Sequence, residues 1–127
     1  NEMTACGRDE WPAITMVIFR NYQWGAEKRN TTLWYHDNFV GTELDRKVSY
    51  ADIAKACGLH GVQATTMEDL TEKLNTAIKA QMEEGKTTFI EVMTNQELGE
   101  PFRRDAMTTP VPVAGIDKAD MRSQKGA

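Results

Sequence analysis

The amino-acid sequence predicts an α/β fold, a largely parallel sheet flanked by helices. Three observations carry that expectation. Residues 13–19 (AITMVIF) form a short run that is apolar and rich in β-branched side chains, and residues 87–93 (TTFIEVM) form a second. Such runs suit strands buried on both faces of a parallel sheet. Between them, Leu70, Leu74, Ala77, Ile78 and Met82 recur at helical spacing, so strands and helices alternate along the chain.

Residues 1–8 (NEMTACGR) read as the end of a helix stopped near Gly7. Pro12 then opens the first strand, which ends abruptly at Arg20 and Asn21. The segment RNYQWGAEKRN is polar and aromatic and reads as a loop leading into a short helix over residues 26–30. Residues 31–48 hold Leu33, Trp34, Tyr35, Phe39 and Val40 without a clean period. Ser49-Tyr50-Ala51-Asp52 has the form of a capping box, in which the Ser49 hydroxyl accepts the N–H of Asp52. Tyr50, Ile53, Ala54 and Cys57 then share one helical face, and Gly58 can end that helix in a left-handed conformation. Residues 61–65 (GVQAT) form a short strand. Thr66 caps the next helix, with Glu68 and Asp69 well placed against its N-terminal dipole. Its apolar stripe reads as core rather than as a partner groove, and Gly85 ends it. Beyond Thr94 three prolines and the lack of a sustained period predict an irregular arm over 95–127.

Composition narrows the function. The chain has 127 residues, which is ordinary for one domain. Its 15 Lys+Arg against 19 Asp+Glu give a formal charge of −4, without a basic stripe. Non-specific nucleic-acid binding and docking on an anionic membrane are therefore not expected. The run 13–19 is far shorter than the ~18 apolar residues of a membrane span. Cys6 and Cys57 belong to no CxxC pair, and reduced thiols in a cytoplasmic protein are the simplest reading. His36 and His60 have no Cys or His at ligand spacing, so a structural zinc site is not expected.

Ligands of open α/β sheets bind beyond the carboxyl ends of the strands. The most polar such junction follows Phe19. Asn21 offers an amide oxygen there, the turning chain exposes the backbone carbonyl of Gln23, and Gly25 permits close approach of a phosphate. Those are hard oxygen donors suited to Mg²⁺. Taken alone, an Asn after a strand is more often a turn residue or helix cap. Lys28 and Arg29 can face a diphosphate or form a solvated helix start. His36 and His60 can act as general acids or be a loop residue and a packed residue. Glu43 and Asp45 fit a solvent-facing turn, and Cys57 fits a core thiol.

The stretch Asn21-Tyr22-Gln23-Trp24-Gly25, following a buried strand, resembles the second half of the thiamine-diphosphate motif. That motif begins with Gly-Asp-Gly, runs through a helix and a strand, and ends in Asn-Asn followed by an aromatic-Gly pair. Residues 2–5 resemble its helix and residues 12–19 its strand. Nearly the whole chain is similar to the C-terminal, diphosphate-binding domain of these enzymes. The stretches FRNYQWGAEKRN and ELGEPFRRDA point to the branch that cleaves a sulfonated aldehyde. YADIAKACG and EGKTTFIEVM are shared with many relatives, acetolactate synthases included.

The resemblance implies residues 1–94 as part of a thiamine-diphosphate-binding domain of a longer chain. It implies thiamine diphosphate and Mg²⁺ as cofactors, with Asn21 and the backbone oxygen of Gln23 as metal ligands and Trp24 and Gly25 beside the cofactor. Arg20 stands where the usual motif has its first Asn. The Gly-Asp-Gly half, with its metal-binding Asp, would precede Asn1, so these residues would carry half a site and be inactive alone. The rest would come from the pyrimidine-binding domain of another subunit in a homo-oligomer. The implied reaction takes the sulfonated aldehyde and phosphate to acetyl phosphate and sulfite. Both substrates are anions that Arg103 and Arg104 can grip with forked hydrogen bonds. Those arginines can instead pair with Asp105 or Glu100, or lie on a subunit surface, which is the commoner outcome. The rival expectations are an acetolactate synthase-like lyase and a non-catalytic α/β binding domain.

Overall fold

The computed structural model describes residues 2–96, with the backbone alone at Leu33. The chain divides into two compact units. Among the described residues, the first comprises 2–21 and Asp45–Asn95, the second Tyr22–Leu44 and Gln96. In chain order the elements are α1 (Met3–Cys6), β1 (Thr15–Arg20), α2 (Gly25–Trp34), α3 (Tyr50–Ala56), β2 (His60–Ala64), α4 (Met67–Glu84) and β3 (Thr88–Met93). The expected α/β fold with a parallel sheet is present.

Among the described residues the first unit holds three strands, in the order β1-β3-β2 and all parallel. Parallel neighbours need a crossover, and α4 supplies it between β2 and β3. Thr66 caps α4 by accepting the N–H of Asp69 at 3.1 Å, and Gly85 closes it at φ +63°. Ser49 caps α3 in the same way, accepting the N–H of Asp52 at 3.1 Å, and Gly58 follows at φ +87°. These local signals act as the sequence predicts.

Side chains of β3 alternate between two cores, as pleating requires. Ile90 and Val92 join Ala64 and Ala77, with Val62, Leu70 and Leu74 against them. Phe89 joins Ala54 and Leu59 on the other face, with Met3, Cys6, Met16, Ile18 and Tyr50 alongside. Ile90 is fully buried, and burial of this kind contributes about 1.5–3 kcal/mol per side chain. Gly61 sets the approach of α3 to β2. A Cβ there would lie 2.0 Å from the backbone oxygen of Ala51.

Four expectations need correction. Strand β1 is not buried on both faces: Val17 and Phe19 are 41% and 70% exposed. They pair in register with Ile90 and Val92, on the face that α4 covers. But among the described strands β1 is outermost, and that cover gives out there. For the same reason the α4 stripe is core only in its first part, and Ile78 and Met82 are exposed. On α3 the buried residues are Ala51 and Ala54 while Ile53 is exposed, because close approach at Gly61 selects the small side chains. Finally, α2 spans Gly25–Trp34, longer than the expected 26–30, and its last residue, Trp34, is buried.

The second unit is built around α2 and one antiparallel bridge, Gln23 to Glu43. Trp24 N–H donates to the Thr42 carbonyl and Leu44 N–H to the Tyr22 carbonyl, both at 2.8 Å. Lys28 pairs with Glu43 and lies 5.2 Å from the centre of the Phe39 ring. The chain leaves α2 through His36 and Asp37, both at positive φ. Among the described residues no helix is long and apolar enough to cross a membrane. Apart from Asn95 and Gln96, the expected arm over 95–127 lies outside the described residues.

Candidate functional site

The carboxyl end of the sheet is where the first unit concentrates its buried polar chemistry. Arg20 ends β1 and is 3% exposed; Glu91, on β3, is wholly buried. The guanidinium donates to Glu91 Oε1 at 2.5 Å and to the Asp45 carbonyl at 3.0 Å, and it lies 4.5 Å from the centre of the Tyr50 ring. Glu91 accepts three further bonds. The N–H groups of Tyr50 and Ala51 donate at 3.3 and 3.0 Å, and the Gln63 amide donates at 2.9 Å. Tyr50 and Ala51 open α3, so the carboxylate also meets the positive end of that helix. Burial pushes the Glu91 carboxyl up, but Arg20, Gln63 and those two N–H groups together hold it below the ordinary value of 4.5. Such a group is ionised at neutral pH.

Asn21 follows directly. The carbonyl of Arg20, one bond before it, accepts the N–H of Thr94 at 2.9 Å, which extends the β1–β3 ladder to the last strand residue. Asn21 is half-buried.

In the second unit, Tyr22 adopts φ +59°, a left-handed conformation unusual for a bulky residue. Gln23 is 4% exposed, and its side-chain amide donates to the Gln96 carbonyl at 2.9 Å. The two bonds of its bridge with Glu43 are made by the residues on either side of it. Trp24 is 55% exposed and is the N-cap of α2, with no side-chain cap bond. Gly25 is the first helical residue. An uncapped helix start presents backbone N–H groups to an anion, although Glu27 in the first turn opposes one.

Asn21 and Gln23 each carry an oxygen donor. An Asn amide and a backbone carbonyl are oxygen ligands of the type Mg²⁺ accepts, and Mg²⁺ usually keeps waters and phosphate oxygens as its others. Among the described residues no cluster of three His, Cys, Asp or Glu could hold a metal.

The remaining sequence candidates fall elsewhere. Lys28 is engaged with Glu43. Glu43 also accepts the Gln96 amide at 2.9 Å, so it does more than face solvent. His36 is an exposed loop residue and His60 an exposed residue opening β2. His60 lines a cleft of about 390 Å³ at the amino end of the sheet, with Cys6, Arg8, Trp11, Lys86 and Thr87. Cys57 is half-buried. Arg103 and Arg104 lie outside the described residues. Sequence reasoning missed the partnership of Arg20 and Glu91, whose signals were a charge ending one apolar run and a charge inside the other.

The chain is similar to known proteins over nearly all its length. Residues 1–92 match the family described as thiamine pyrophosphate enzyme, C-terminal TPP binding domain. The chain is 74% identical over 123 residues to the sulfoacetaldehyde acetyltransferase of Rhodobacter capsulatus, covering 97% of this chain and 21% of that protein. It is 72% identical over 125 residues to the sulfoacetaldehyde acetyltransferase of Roseovarius nubinhibens, with 98% and 21% covered. It is 69% identical over 125 residues to the probable sulfoacetaldehyde acetyltransferase of Rhizobium meliloti, again with 98% and 21% covered. The chain thus spans about a fifth of the length of these curated relatives. No solved structure matches it significantly.

Proposed function

The chain belongs to the thiamine pyrophosphate enzymes, in their C-terminal TPP-binding domain, and from that premise we propose that it is part of a sulfoacetaldehyde acetyltransferase. The observation that carries the proposal is identity of 69–74% over nearly the whole chain to relatives so named. The overall reaction would convert sulfoacetaldehyde and phosphate to acetyl phosphate and sulfite. This would serve taurine and other sulfonate breakdown in the cytoplasm.

We read residues 1–94 as part of the cofactor-binding domain and 95–127 as a C-terminal arm. Asn21 would give its amide oxygen, and Gln23 its backbone oxygen, to a Mg²⁺ that holds the diphosphate. Trp24 and Gly25 would flank the cofactor, and the uncapped start of α2 suits its negative charge. Bound thiamine diphosphate supplies the carbanion stabilisation that cleavage beside an aldehyde carbon requires. Arg103 and Arg104 would grip the sulfonate or the phosphate by forked, charge-assisted bonds. The site would be completed by the pyrimidine-binding domain of a second subunit in a homo-oligomer.

The test uses the complete protein. Sulfite release from sulfoacetaldehyde should require thiamine diphosphate, Mg²⁺ and phosphate together. Formation of acetolactate from pyruvate without sulfite release would favour the lyase relatives. Failure to bind the cofactor at all would leave a non-catalytic α/β domain.

A further inference from the structure

The Arg20–Glu91 pair calls for a reason beyond stability. Both side chains are almost wholly withdrawn from water, and desolvating two charges offsets most of their attraction, so apolar replacements often do as well. This pair, however, joins separate parts of the first unit. Arg20 connects the end of β1 to the Asp45 carbonyl and the Tyr50 ring. Glu91 connects β3 to the first two N–H groups of α3 and to Gln63 on β2. The next residue after Arg20 is Asn21, and the peptide between them is also held through the Thr94 bond.

We infer that Arg20 and Glu91 are positioning residues for Asn21, fixing the strand end from which it leaves the sheet. The inference rests on the reading of Asn21 as a metal ligand. Glu91 is the buried counter-charge that a guanidinium at this strand end needs. The fork of the guanidinium matters as well as its charge, because its two terminal nitrogens serve different acceptors. Lysine carries its three donors on one nitrogen and so cannot reproduce the spacing of the fork.

The test compares Arg20→Lys and Glu91→Gln with the double variant Arg20→Met plus Glu91→Gln in the complete enzyme, with Arg20→Met alone as the reference for melting. Two quantities are read: the Kd for thiamine diphosphate at fixed Mg²⁺ by calorimetry, and the melting temperature without cofactor. Loss of a supporting contact typically weakens metal affinity about 10- to 100-fold, and both single variants should fall in that range. The double variant leaves no unpaired buried charge, so it should melt above an Arg20→Met single variant yet still bind the cofactor weakly. If its affinity instead returns to the wild-type value, the pair serves stability alone and the inference is overturned. Should the double variant not fold, Arg20→Lys decides alone, and unchanged affinity overturns the inference. A wild-type protein that binds no thiamine diphosphate overturns the proposed function first, and this inference with it.

Discussion

The two ends of the sheet in the first unit use the same residue types in opposite ways. At the carboxyl end, Arg20 and Glu91 are buried, and each bonds several segments. At the amino end, Arg8 pairs with Glu10 and Lys86 with Glu84, each only two residues away and all well exposed. Exposed local pairs contribute little and are screened by salt. A buried pair that bridges distant segments constrains geometry, and breaking one half of it is costly. The comparison therefore locates the constrained end of the sheet, and that end adjoins Asn21.

Substitutions at the two ends sharpen this contrast. Arg20→Met should have the largest effect, destabilising the protein by about 3–5 kcal/mol because Glu91 is left charged and buried. Denaturant unfolding reads this, and a loss below about 1 kcal/mol would mean that water reaches the carboxylate. Gly61→Ala should cost about 1–3 kcal/mol, since the added methyl meets the Ala51 carbonyl and α3 must move from β2. Thr66→Ala removes one α4 cap and should cost about 1 kcal/mol. Arg8→Ala, at the amino end, should leave the melting temperature unchanged. A fall there as large as that for Gly61→Ala would erase the distinction between the ends.

Acid should separate the ends too. The Glu91 carboxyl titrates below its ordinary value of 4.5 in the folded protein. Its contribution is therefore complete above the unfolded value and is lost as pH falls through the folded one. Glu91→Gln should flatten the loss of stability between those two values. An unchanged acid limb in unfolding curves against pH would show that the carboxylate is not held by its four donors.

What the sequence reveals follows the range of the forces involved. The caps at Ser49 and Thr66 and the stop at Gly85 are set within a few residues, and all form as expected. The burial of β3 follows from its composition, because it lies in the middle of the sheet. Strand β1 has similar composition, yet Phe19 is exposed, since among the described strands β1 has a neighbour on one side only, which its own residues do not reveal. The Arg20–Glu91 bond joins residues 71 apart. It exists only because Arg20 and Met93 pair in register, which puts Glu91 nearby. The left-handed position at Tyr22 is itself occupied by neither glycine nor asparagine, so the residue there does not announce it. Asn21, Gln23, Trp24 and Gly25 stand out by resemblance to a motif. Their residue types alone fit an ordinary turn equally well.

The most direct test of the account is a calorimetric titration of thiamine diphosphate, with Mg²⁺, into the complete protein and into its Asn21→Ala variant. Asn21 as a metal ligand predicts Mg²⁺-dependent binding to the wild type that weakens sharply in the variant, whereas equal affinity in both would contradict its place in the site.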